Sequence, residues 1–238
     1  MKPNSFSSLF VATLMSLACC AVGDETARKA PDTKPGDSAA VAFTVQGANY
    51  RFTIPKGFGE VTGEYRKWAD AVSAMDAKNI THFTLIPPEQ NNRQNGKVTT
   101  WAMLKTPQRS IGKTIPPRKE MIQGMKGLIK QPERADIFKD ATKLAGKKFE
   151  DVFGKEAKFG AQMDFVDADD SAIYLAGTAT FEVDGVKSTV AGAGAGTVVR
   201  GNVFFYFVYS EYRDVADIAT GLKQVKEDIR QFIASNPE

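Results

Sequence analysis

Two short turns in the C-terminal third of the chain set the centre of its fold. Asp184-Gly185 and Arg200-Gly201 each separate two strand-like runs, and Asp-Gly readily supplies the positive φ angles of a two-residue hairpin turn. A loop of two residues fixes the register, which places Glu182 opposite Lys187. A cross-strand pair of opposite charge contributes roughly 0.2 to 1 kcal/mol. The pattern predicts three consecutive antiparallel strands.

The second hairpin explains the glycine run AGAGAG. Its register sets Gly194 opposite Phe207 and Gly192 opposite Tyr209, so that aromatic rings cover bare backbone. The run lacks the Lys-Ser/Thr of a phosphate-binding loop and opens no helix, which favours packing over ligand binding. The strand from Val203 to Tyr209 is apolar on both faces. It is therefore predicted to lie inside the sheet.

The remaining elements cover this sheet. Val215 to Phe232 has apolar residues at spacings of three and four, which predicts an amphipathic helix that Asp214 or Asp217 can cap. Further expected elements are a hairpin over Val41 to Ile54 that turns at Gly47-Ala48-Asn49, helices over Glu64 to Lys78, around Met121 to Ile129 and over Gln131 to Gly146, and strands over Thr81 to Ile86 and Val98 to Leu104. The order predicts an α+β fold, an α/β/α sandwich with a predominantly antiparallel sheet and a C-terminal amphipathic helix.

Residues 1–23 predict an export signal. Lys2 precedes the apolar run LFVATLMSLACCAVG, which is too short to anchor the chain across a membrane. Ala21-Val22-Gly23 before Asp24 matches the small-residue pattern at which signal peptidase cuts. We expect an extracytoplasmic protein, periplasmic or secreted, with no transmembrane span in the mature chain.

A lipoprotein signal is the alternative. Ser16-Leu17-Ala18 before Cys19 resembles the bacterial lipobox, in which the cysteine is acylated, but Ser16 stands where the usual pattern has Leu. Cys19 and Cys20 are the two cysteines of the chain and therefore the candidate lipidation sites. Cleavage after Gly23 would instead leave a mature chain without thiols or disulfides.

The rest of the chain divides into a linker and one domain. Residues 24–40 mix charge, Pro, Gly and Ala without large apolar side chains, which predicts a flexible tether. Residues 41–238 are long enough for a single α+β domain with a sizeable core. The net charge of +3 is modest, and the basic residues do not interleave with aromatic ones, so we expect no nucleic-acid partner.

Positive charge is concentrated in one stretch. Lys105 to Glu150 carries twelve Lys and Arg against five Asp and Glu, whereas Asp151 to Asp184 carries two against eight. These stretches are either solvated faces or a docking surface for an anionic partner, such as an envelope protein or an anionic surface. The candidate partner-binding residues are Arg109, Arg118, Lys119, Lys126 and Lys130.

The sequence offers little for catalysis. His82 is the only histidine, and neither a zinc site nor a Gly-x-Ser-x-Gly elbow can be assembled from the mature chain. Carboxylates cluster between Asp164 and Asp170, but Ala172 and Thr178 occupy the positions where a calcium loop needs Gly and Glu. The pattern favours a polar turn there. We expect neither a metal site nor another cofactor.

The segment YRFTIPKGF, followed by middle helices, late antiparallel strands and a closing helix, resembles PsbP-like proteins and their bacterial extracytoplasmic relatives of the DcrB type. The likeness extends over about Tyr50 to Asn236. It implies an α/β/α sandwich and a non-enzymatic binding or assembly role, and it supplies no catalytic motif. The sequence therefore favours an exported, non-catalytic cell-envelope protein. The alternatives are an envelope hydrolase that uses dispersed Asp and Glu, and a small-ligand carrier.

Overall fold

The computed structural model describes residues 39–63, 65–74, 76, 78–91, 98–129, 157–183 and 185–238. The predictions for the export signal, for nearly all of the linker, for the helix over 131–146 and for the positions of Lys130 and Asp184 lie outside these residues.

A seven-stranded antiparallel sheet is the centre of the fold. The elements in chain order are β1 (Ala40–Val45), β2 (Ala48–Thr53), β3 (Gly59–Glu60), α1 (Tyr65–Ala74), β4 (Asn79–Ile86), α2 (Pro88–Asn91), β5 (Trp101–Pro107), a 3-10 turn (Gln108–Ser110), α3 (Arg118–Ile129), β6 (Ala157–Ala168), β7 (Ile173–Val183), β8 (Val186–Val199), β9 (Asn202–Glu211) and α4 (Val215–Ala234). The strand order in the sheet is β3-β4-β5-β9-β8-β7-β6, while β1 and β2 form a separate two-stranded sheet.

Both C-terminal hairpins have the register that the sequence predicts. Glu182 pairs with Lys187 across β7 and β8. Gly194 pairs with Phe207 across β8 and β9. Arg200 and Gly201 form the intervening turn with φ angles of +48° and +72°, as a tight hairpin turn requires. Strand β9 lies in the middle of the sheet, as its two apolar faces predict.

The sheet separates two hydrophobic cores. One face packs against α1 and α3, with residues such as Tyr65, Met121 and Phe207 in its core. The other face packs against α4 and the β1–β2 hairpin, with residues such as Phe52 and Phe232. The predicted α+β fold is confirmed: the sheet is antiparallel, helices cover it, and the amphipathic helix α4 closes the chain.

The N-terminal hairpin forms, but its turn lies one position earlier than the sequence suggested. Val45 pairs with Ala48, so Gln46 and Gly47 make the turn with φ angles of +50° and +79°. This register lets Phe43 stack on Tyr50 with ring centroids 5.5 Å apart. Burial of the aromatic residues therefore fixes the register more strongly than the turn preference of Asn49.

Strand β5 begins and ends three residues later than predicted, with Trp101 rather than Val98 as its first residue. It continues to Pro107 rather than ending at Leu104, because Lys105 and Thr106 have buried partners that compensate their polarity. Lys105 Nζ donates to Asp76 Oδ2 at 2.7 Å. Thr106 Oγ1 lies 2.8 Å from His82 Nε2. A register shift between residues 81 and 83 accommodates His82 in β4.

Both predicted caps contribute to the start of α4. The Asp214 carboxylate accepts from the backbone N–H of Ala216 at 2.7 Å, while the Asp217 carboxylate accepts from the backbone N–H of Asp214 at 3.2 Å. Together they form a capping box that satisfies the free N–H groups of the first turn. No helix within the described ranges is both long and apolar enough to cross a membrane.

Candidate functional site

One end of the sheet brings together segments that are far apart in sequence. Gln46, at the tip of the β1–β2 hairpin, donates through Nε2 to Asn202 Oδ1 at 2.6 Å. Its Oε1 accepts from the backbone N–H of Gly112 at 2.6 Å. Asn202 in turn donates to the Tyr50 hydroxyl at 2.8 Å. The hairpin tip, the loop after β5 and the β8–β9 turn are therefore held as one unit.

Basic side chains surround this unit. Arg118, the first residue of α3, donates through its guanidinium to the Val198 carbonyl at 3.3 Å. Arg200 donates to the Asn49 carbonyl at 2.8 Å. The Arg200 guanidinium carbon also lies 5.5 Å from the centroid of the Tyr50 ring. Both arginines are thus positioned by backbone carbonyls rather than by carboxylates.

Further cations belong to segments that are hydrogen-bonded to the same end. Arg109 and Lys113 lie in or beside the 3-10 turn, whose Gln108 donates its backbone N–H to the Lys78 carbonyl at 2.9 Å. Partial burial lowers the pKa of Arg109 from its usual value, but a guanidinium stays protonated. We call this surface the basic end. Its members are Lys78, Arg109, Lys113, Arg118, Lys119 and Arg200.

The structure brings together some of the residues predicted for partner binding. Arg109, Arg118 and Lys119 belong to the basic end. Lys126 lies eight residues along α3 from Arg118, about 12 Å of helical rise, and so flanks the surface. Lys130 is outside the described residues.

Sequence reasoning missed two members of the basic end, and it counted one buried lysine that does not belong to this surface. Arg200 and Lys78 lie outside the charged stretch that drew attention in the sequence. The only local signal for Arg200 was its place in a hairpin turn. Lys105, in contrast, was counted in the basic stretch but is only 4% exposed and is paired with Asp76. Its charge is compensated in the core, so it adds nothing to the surface.

His82 is a core residue. It is 8% exposed, and its ring stacks on that of Phe43 with centroids 4.6 Å apart. Its Nε2 and the Thr106 hydroxyl are hydrogen-bonded at 2.8 Å. The residue thus contributes to packing and to the satisfaction of a buried hydroxyl.

The acidic run before β7 forms a structured turn. Asp169 accepts from the backbone N–H of Ser171 at 2.8 Å and from the Tyr174 hydroxyl at 3.0 Å, and Arg230 of α4 donates to it at 2.8 Å. Burial raises the pKa of Asp169, but hydrogen bonds from Arg230 and from backbone amides bring it below its ordinary value. Among the residues described, no group of three or more His, Cys, Asp or Glu is placed to hold a metal ion.

Two buried carboxylates lie on opposite faces of the sheet. Asp76 is 1% exposed and pairs with Lys105 on the face of α1 and α3. Asp228 of α4 is 5% exposed and accepts from the Tyr206 hydroxyl at 2.8 Å on the other face. Because the sheet separates them, they do not form the converging pair that a carboxylate-based hydrolase requires.

A shallow cleft of about 790 Å³ lies at the opposite end of the sheet. Polar side chains of β6, β7 and β8 line one side, including Lys158, Glu182 and Lys187, which are cross-strand neighbours. Tyr212 and Ile218, near the start of α4, line the other side. The cleft is open and has a mixed polar and apolar lining, unlike the closed apolar cavity expected of a small-ligand carrier.

Comparisons with known proteins find a weak likeness among solved structures. No family model matches the chain, and no curated protein matches it. A similar solved structure is the solution structure of cyanobacterial PsbP (CyanoP) from Synechocystis sp. PCC 6803, with 10% sequence identity and a TM-score of 0.40. The match covers 83% of this chain and 95% of that one. The chain thus has the weak PsbP-like resemblance that its sequence predicted, and at this TM-score the likeness says nothing about sites or partners.

Proposed function

We propose that this chain is an exported, non-catalytic cell-envelope protein that acts as a binding or assembly factor through its basic end. The observation that supports the proposal is the convergence of six cations from four segments of the chain on one end of the sheet. A concentrated field of one sign raises the rate at which an oppositely charged partner is captured. The partner is an envelope protein or an anionic surface.

Location is tested by the mass of the intact protein recovered from its native envelope. A mass that begins near Asp24 supports soluble export, and a lipid-modified Cys19 or Cys20 supports anchoring. Retention of Met1 would contradict both and would remove the basis for an envelope role.

The binding surface is tested by charge reversal. Lys113→Glu with Lys119→Glu should weaken the association of the protein with isolated envelopes at low salt, because both side chains are exposed and belong to the basic end. Raising the salt concentration should weaken the parent in the same way, since the Debye length is about 10 Å at 0.1 M.

The matched control is Lys56→Glu with Lys187→Glu. These lysines are also exposed but lie away from the basic end, one after β2 and one at the start of β8. The control changes the net charge by the same amount, so it separates a local surface from a general charge effect. Equal loss of association in the two double variants would refute the assignment of binding to the basic end.

A further inference from the structure

Two isoleucines are exposed among the cations of the basic end. Ile111 is 37% exposed and lies in the loop between Arg109 and Lys113. Ile80 is 40% exposed and follows Lys78 by two residues at the start of β4. The other exposed large hydrophobic residues among those described are the smaller valines 166, 186 and 215. The two exposed isoleucines therefore lie close in sequence to cations of the basic end.

The loop that carries Ile111 has a defined conformation. The backbone N–H of Ile111 donates to the Gln108 carbonyl at 3.1 Å, and the next residue, Gly112, has a φ of +71° that glycine adopts without strain. Gly112 is tied to Gln46 of the hairpin tip. The fold thus presents the isoleucine on a fixed turn with a cation on either side.

Several carboxylates near this surface are paired with cations of the same chain. Asp76 is turned inward onto Lys105. At the β6–β7 turn, on the same end of the sheet, Asp167 pairs with Lys226 and Asp169 pairs with Arg230. Glu120, beside Lys119, is exposed and reduces the positive charge without cancelling it.

We propose that the basic end docks on an anionic lipid surface, with Ile111 and Ile80 entering the interfacial region between headgroups. The inference rests on the proposed envelope role. Headgroup phosphates attract lysine and arginine near the surface, and the acyl boundary beneath them takes up aliphatic side chains. An acidic protein would account for the cations alone. An exposed isoleucine on a fixed loop between two cations, with a second exposed isoleucine in β4 near Lys78, fits the layered polarity of a lipid interface better.

The test is flotation of the purified mature chain, produced from Asp24 onward, with phosphatidylcholine vesicles that do or do not contain phosphatidylglycerol, at low and high salt. We expect binding only to the anionic vesicles, and weaker binding as salt rises. Lys113→Glu with Lys119→Glu should lower the partition coefficient more than about 20-fold, since each basic residue near such a surface contributes about fivefold. The control, Lys56→Glu with Lys187→Glu, should stay within about twofold of the parent.

A second set of variants tests the aliphatic contact. Ile111→Ser should weaken binding about threefold to tenfold while leaving its salt dependence unchanged, because it removes apolar burial and no charge. Ile111→Trp should give a blue-shifted fluorescence component when anionic vesicles are added, since indole rings prefer the interface. Both changes are at an exposed position, and thermal melting of the variants checks that the fold is intact.

Two outcomes would overturn the inference. In the first, the protein does not bind anionic vesicles but still associates with native envelopes through the basic end. That result indicates a protein partner and is consistent with the proposed function. The other is vesicle binding that Ile111→Ser does not change, which restricts the contact to charge. A protein that retains Met1 would instead count against the proposed envelope function, whatever it does with vesicles.

Discussion

Ionisation of the Asp228 carboxyl opposes folding. Burial raises its pKa to about 6, whereas an aspartate in an unfolded chain ionises at a pH of ~3.9. The folded chain therefore binds the extra proton between these pH values, and stability falls as pH rises through that window. We expect Asp228→Asn to raise the free energy of unfolding at neutral pH by about 1 to 2 kcal/mol. Asparagine carries no charge, its Oδ1 can still accept from the Tyr206 hydroxyl, and its Nδ2 can donate to Gln224 Oε1 once the Gln224 amide turns round.

Urea unfolding between roughly pH 2 and pH 8, a span that covers the titrations of both Asp228 and the control residue Asp217, measures this effect. Asp217→Asn is the control with the opposite sign, because hydrogen bonds from Arg213 lower the pKa of Asp217 to about 2. Its stabilising contribution is present above the unfolded pKa and is lost as pH falls through the folded value. If the free energy of unfolding depends on pH equally in the parent and in the Asp228→Asn variant, ionisation of the Asp228 carboxyl does not destabilise the fold.

Some residues of the basic end can be predicted from the sequence and others cannot. Arg109, Arg118 and Lys119 could be selected because they are close in sequence and rich in charge. Arg200 could not, since its contribution depends on the Asn49 carbonyl that receives its hydrogen bond, far away in the chain. Lys105 was wrongly counted as a surface charge, because the residues around it in the sequence do not indicate that it pairs with the buried Asp76 carboxylate.

Within the β8–β9 hairpin, Gly194 is required by the ring that covers it. A Cβ at this position would lie 2.5 Å from Phe207 Cδ1 and 2.6 Å from its Cε1. Phe207 is 4% exposed in the core, so the ring has little room to move. We expect Gly194→Ala to lower the free energy of unfolding by about 1 to 3 kcal/mol through overpacking.

Gly192→Ala in the same strand is the matched control. Its Cβ would meet the terminal methyl group of Met163 at 3.2 Å and the Tyr209 ring at 3.3 Å, and a methionine end can shift more easily than a buried ring. Denaturant unfolding should therefore rank the Gly192 variant above the Gly194 variant in stability. The reverse order would show that the Phe207 ring does not restrict Gly194.

Elements with strong local signals were predicted with their register, whereas those that depend on tertiary burial were predicted less well. The β8–β9 hairpin follows from a turn and a glycine-aromatic pattern that agree with each other. The β1–β2 turn was placed wrongly, because stacking of Phe43 on Tyr50 selects Gln46 for a left-handed conformation that its side chain alone does not favour. Strand β5 extends past Leu104 for the same kind of reason, since its last residues depend on partners in other elements.

Over the whole molecule, the predicted layering is correct, because each amphipathic segment must bury its apolar face against the sheet. The surface cluster needed the three-dimensional arrangement. The hairpin tip, the loop after β5 and the β8–β9 turn meet only because β1 and β2 form a separate sheet on the face that α4 also covers. No pattern in the sequence predicts that the β1–β2 hairpin packs on this face of the sheet.

The separate hairpin also predicts that the molecule has two levels of stability. Asn236, after α4, accepts from the Arg51 backbone N–H at 2.9 Å and donates to the Arg51 carbonyl at 2.8 Å, and its Nδ2 also reaches the Phe232 carbonyl. These bonds tie β2 to the end of α4. Asn236→Ala should therefore increase amide hydrogen exchange in β1 and β2 while exchange in β8 and β9 changes little. Ser235→Ala, at the exposed position next to Asn236, is the control and should leave exchange in β1 and β2 close to that of the parent. Faster exchange throughout the sheet in the Asn236 variant would show that the hairpin and the sheet unfold as a single unit.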